Sequence, residues 1–70
     1  MKNNPQIYEG TGKTVDEAID HAHSQIQPRP GRDFAISKVI EFGMQRGGFS
    51  MAKLFYAKVI EDENAPFKSG

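Results

Sequence analysis

Apolar residues recur along this chain first with a helical period and then with a period of two. Val15, Ala18, Ile19, Ala22 and Ile26 stand at three- and four-residue spacings, which gather them on one stripe of a helix. Asp16, Glu17, Asp20 and Ser24 lie off that stripe. Thr14 is a natural N-cap, and Glu17 three residues on completes the capping-box pattern. Pro28 and Pro30 stop the helix near Ile26, and Pro28-Arg29-Pro30-Gly31-Arg32 reads as a loop. Ahead of the helix, Gln6-Ile7-Tyr8-Glu9 reads as a short strand that Gly10 and Gly12 end.

From Phe34 the period changes to two. Phe34, Ile36, Ile40, Phe42 and Met44 fall on one side of a strand, interrupted by Lys38. Ala35, Ser37, Val39 and Glu41 fall on the other. Arg46-Gly47-Gly48-Phe49 suits a tight hairpin that needs positive φ. A second long strand then runs from about Phe49 to Glu61. Met51, Phe55, Ala57 and Val59 point one way, and Ala52, Leu54, Tyr56 and Ile60 the other. Residues 1–5 and 62–70 are expected to be loose ends.

These elements predict an α+β fold of order β-α-β-β, a three-stranded antiparallel sheet on one helix, as a single domain over 1–70. A lone helix of about 13 residues covers one face of such a sheet. The last strand is largely apolar on both faces, so a second copy or a ligand is expected over the other.

Composition narrows this further. A domain of 70 residues buries only about 60% of its unfolded surface and is marginal alone. With no cysteine, disulfides and thiolate metal sites are excluded, which leaves self-association as the means of support. Nine basic and nine acidic residues cancel, so the chain offers little pull on nucleic acid or an anionic membrane. No run approaches a membrane span, and the polar Met1–Pro5 leads into no signal-like apolar stretch. A cytoplasmic protein is expected.

Chemistry-bearing patterns are sparse. Gly12-Lys13-Thr14 suggests a phosphate loop, but the glycine required five positions earlier is Ile7. An anion at the helix N-terminus remains open. His21 and His23 lie about 200° apart on a helix and cannot chelate one metal together. They read as surface partners of Glu17 and Asp20, with His23 near the subunit boundary. Arg29, Arg32 and Arg46 read as loop charges able to meet a phosphate or a carboxylate. Ser24, Ser37 and Ser50 have no spaced base and acid, so no enzyme is expected.

Three segments resemble the dodecins, small flavin-binding proteins that assemble as twelve-subunit shells. Thr14-Val15-Asp16-Glu17-Ala18-Ile19 is similar to the opening of the family helix, Val39-Ile40-Glu41-Phe42-Gly43 to its second strand, and Lys58-Val59 to the end of its third. The likeness spans about Gln6 to Ile60 and includes the order of elements. It implies a homo-oligomer, a dodecamer, that stores a small flat ligand, FMN or riboflavin. The ligand-binding positions it implies are Ile36, where the family has a flavin-stacking tryptophan; Phe34, the nearby aromatic; and Leu54, near the family's flavin-bonding glutamine. The chain has no tryptophan, and leucine makes no such bond. A structural or interaction module of the same fold, without ligand, is the alternative.

Overall fold

The computed structural model describes residues 6–49 and 52–69. Expectations for residues 1–5, Ser50 and Met51 lie outside the described residues. The fold is α+β, of order β1 (Ile7–Gly12), α1 (Val15–His23), β2 (Ser37–Arg46), β3 (Lys53–Glu61). The strands form one antiparallel sheet in the order β1-β3-β2, with α1 packed against it.

Helix α1 begins where its capping residues place it. Thr14 Oγ1 accepts from Glu17 N–H at 3.1 Å, and Glu17 Oε1 accepts from Lys13 N–H at 2.9 Å. Its end is tighter than the periodicity predicts. Beyond His23 the chain continues with bonds from Gln25 N–H to Ala22 O, 3.3 Å, and from Ile26 N–H to His23 O, 2.9 Å. These three-residue bonds turn Ile26 into the core without extending the α-helix.

β1 runs on through Gly10 and ends at Gly12. α1 lies directly on that strand. A Cβ on Gly10 would meet the Ala22 amide and stand 2.5 Å from Ala18 O. The small residues on both elements therefore set the helix–sheet distance. Ala18, Ala22, Ile26, Ala57 and Val59 are buried, with Tyr8 and Ala35 packed at the margin.

Cross-strand partners share a face, so the register sorts the side chains. Tyr8, Gly10 and Gly12 oppose Val59, Ala57 and Phe55 on the helix side. On β2, Val39, Phe42 and Met44 oppose the same three residues. The period of two expected through 34–44 is thus broken. A bulge between Val39 and Glu41 inserts one extra residue and reverses the alternation, so Phe42 and Met44 join Val39. Phe34 and Ile36 precede the strand, which starts at Ser37.

The hairpin also differs from the tight turn. Gly47 and Gly48 do take positive φ, 138° and 81°, but pairing stops at Arg46↔Lys53 and the connection covers 47–52. Two contacts tie residues after Glu61 to the segment leading into β2. Asp62 N–H donates to Ile36 O at 2.8 Å, and Phe67 meets Phe34 edge to face at 5.1 Å.

Candidate functional site

The three positions implied for a ligand do not meet in one chain. Ile36 lies beside Asp62, one residue past the end of β3, while Leu54 opposes Gln45 at the start of that strand. Eight residues of extended strand separate them, about 27 Å. Phe34 is engaged on two sides, by Phe67 and by the Arg32 guanidinium 5.3 Å from its ring centre. A ligand touching all these positions needs more than one copy of the chain.

An open groove of about 450 Å³ is lined by Gln6, Tyr8, Gln25, Gln27 and the Pro28–Pro30 turn. Its one cation, Arg29, is already paired with Glu61, at 3.3 Å, and with Glu63. Arg32 donates to Glu63 O at 3.2 Å. These two arginines thus close the loop onto the end of β3, and Arg46 belongs to β2 instead of a loop. Among the described residues no free charge faces the groove to orient a ligand.

The helix N-terminus is filled as well. The Glu17 carboxylate accepts from Lys13 N–H there, so a further anion would meet a charge of its own sign. The two histidines do not serve as partners of Glu17 and Asp20. Thr11 N–H donates to His21 Nδ1 at 3.0 Å, and His23 Nδ1 shares a 2.6 Å hydrogen bond with Ser37 Oγ. Ser37 therefore does meet a base, contrary to the spacing argument. Among the described residues no acid is bonded to the other ring nitrogen, and the pair tethers α1 to the start of β2. Among the described residues no three His, Asp or Glu side chains cluster as metal ligands.

The two edges of the sheet differ. Along β1 the outward backbone is occupied by α1: His21 accepts from Thr11 N–H, and Gln25 Nε2 donates to Glu9 O at 2.7 Å. Along β2 no strand pairs the outer side among the described residues. Helix α1 scarcely reaches β2, which leaves Val39 36%, Ile40 45%, Phe42 64% and Met44 52% exposed. The sheet face away from the helix is more polar. There Tyr56 lies over Gly43 and donates to Glu41 Oε2 at 3.1 Å, and Lys58 stands 3.9 Å from Glu41. The hydrogen bond to Glu41 and its negative charge raise the Tyr56 pKa above 10.0.

Sequence reasoning missed the two edge caps, because His21 and Gln25 look like ordinary surface residues until the helix is laid on β1. It also placed the bare apolar surface on the face away from the helix. The chain matches no protein-family model, no curated protein and no solved structure.

Proposed function

We propose that this protein is a non-catalytic, dodecin-like homo-oligomer whose copies together hold a small flat ligand, with FMN or riboflavin as the first candidates. The carrying observation is the gap between Ile36 and Leu54. One chain brings only half of such a site to a ligand, so a site of this kind forms only where copies meet. The shape of the subunit supports the same reading. Its radius of gyration is 14.2 Å, against about 11 Å for a compact chain of this length. Its accessible surface is 5659 Å², about 1,300 Å² above the scaling for a monomer of its mass.

A second reading, the same assembly without a small ligand, is favoured by Phe34. Its ring already has Phe67 and Arg32 against it. Flavin fluorescence separates the two. Titration of riboflavin or FMN with purified protein quenches emission at micromolar protein if a stacking site exists. Unchanged emission removes flavin and leaves the assembly-only reading.

A further inference from the structure

The geometry points to the outer edge of β2 as the seam between two copies, joined antiparallel across a two-fold axis so that β2 pairs with β2 of the second copy. This rests on the self-assembly reading and names the surface that performs it. A free edge exposes a row of N–H and C=O groups that template another strand. Proteins usually blunt such edges, and here α1 does so along β1. His21 and Gln25 from α1 take up the outward backbone of Thr11 and Glu9 on β1. On β2 the bulge between Val39 and Glu41 interrupts only one end. From Glu41 to Arg46 the strand is regular and its outer side is unpaired among the described residues.

The side chains along that stretch complement themselves. A two-fold axis at Gly43 sets Phe42 beside Met44 of the second copy, a favourable sulfur–aromatic contact. It sets Glu41 beside Gln45 of the second copy, a carboxylate opposite an amide donor. An axis at Glu41 would oppose two carboxylates, so repulsion removes that alternative. Gly43 itself is shielded by its own Tyr56 ring. The product is a continuous six-stranded sheet in which the bare Val39, Phe42 and Met44 strips of the two copies adjoin.

Native mass spectrometry of the wild type, Phe42→Lys, Met44→Lys and Ile7→Lys tests the seam. Phe42, Met44 and Ile7 are each more than half exposed within the subunit, so circular dichroism should show all variants folded. The expected result is a wild-type assembly with an even subunit number. Phe42→Lys and Met44→Lys should each raise its half-assembly concentration at least roughly tenfold, while Ile7→Lys leaves it unchanged. An assembly that keeps its stoichiometry and affinity in both β2 variants overturns the seam but leaves self-assembly standing. A wild type that is monomeric at every concentration overturns both, leaving an extended peptide of another protein as the occupant of the edge.

Discussion

The β1 half and the β2 half of this sheet are built from the same kind of strand and end in opposite states. On the β1 side, glycines let α1 settle onto the backbone, and two helix side chains take up the outward hydrogen-bonding groups. On the β2 side, a strand carrying Val39, Phe42 and Met44 toward the helix layer meets α1 only near its start. The difference follows from one geometric choice. Glycine and alanine at the contact draw α1 over β1 and β3, and a helix of nine residues is then too short and too far to one side to shelter β2. The lesson is that close packing at one edge of a small sheet decides how much of the other edge is left bare.

Substitutions at equivalent positions on the two halves should differ most at glycine. Gly10→Val drives a branched side chain into the α1 backbone, and no flexible side chain is there to give way. A loss of about 3 kcal/mol or more is expected, read as loss of a cooperative thermal transition. Gly43→Ala on the bare half meets the Tyr56 ring and hydroxyl first, a side chain and not backbone, so about 1 kcal/mol is expected. Equal losses at the two sites would mean that the halves are equally packed. Next in size, Ile26→Ala should cost about 2–4 kcal/mol in denaturant midpoint, because Ile26 is one of the few large side chains the subunit buries.

Opening the closed edge is the sharper experiment. The double change His21→Ala with Gln25→Ala frees the backbone of Thr11 and Glu9. Light scattering should then report larger, open-ended assemblies, since both edges of the sheet would accept strands. Scattering identical to the wild type would show that the caps do not guard the edge.

Much of the fold could be read along the chain before any coordinates. The change of period after Pro30 separates helix from strands, and Thr14 with Glu17 marks the helix start to the residue. The β2 bulge could not be read, because one inserted residue leaves no compositional trace and shows only when β3 supplies a register. That single residue moved Phe42 and Met44 to the helix side. The candidate site was legible only by resemblance. Phe34 and Ile36 were placed on a strand that begins at Ser37, and their distance from Leu54 depends on pairing that no local pattern encodes.

The smallest expected effect concerns the polar face. The Tyr56 pKa is raised in the folded chain. Its contribution to stability is therefore present below about pH 10 and lost as pH rises through the higher folded value. The wild type should lose more stability than Tyr56→Phe on going from pH 8 to pH 11, by a small margin because the hydroxyl is exposed. Parallel alkaline curves would show that the Glu41 contact has no energetic weight.

The account depends most on the bare half of the sheet being covered by another copy. Sedimentation velocity from micromolar down to nanomolar protein tests that directly. The prediction is a species several times the 7.8 kDa of one chain that dissociates on dilution with loss of structure. A stable, folded 7.8 kDa particle at every concentration would contradict it.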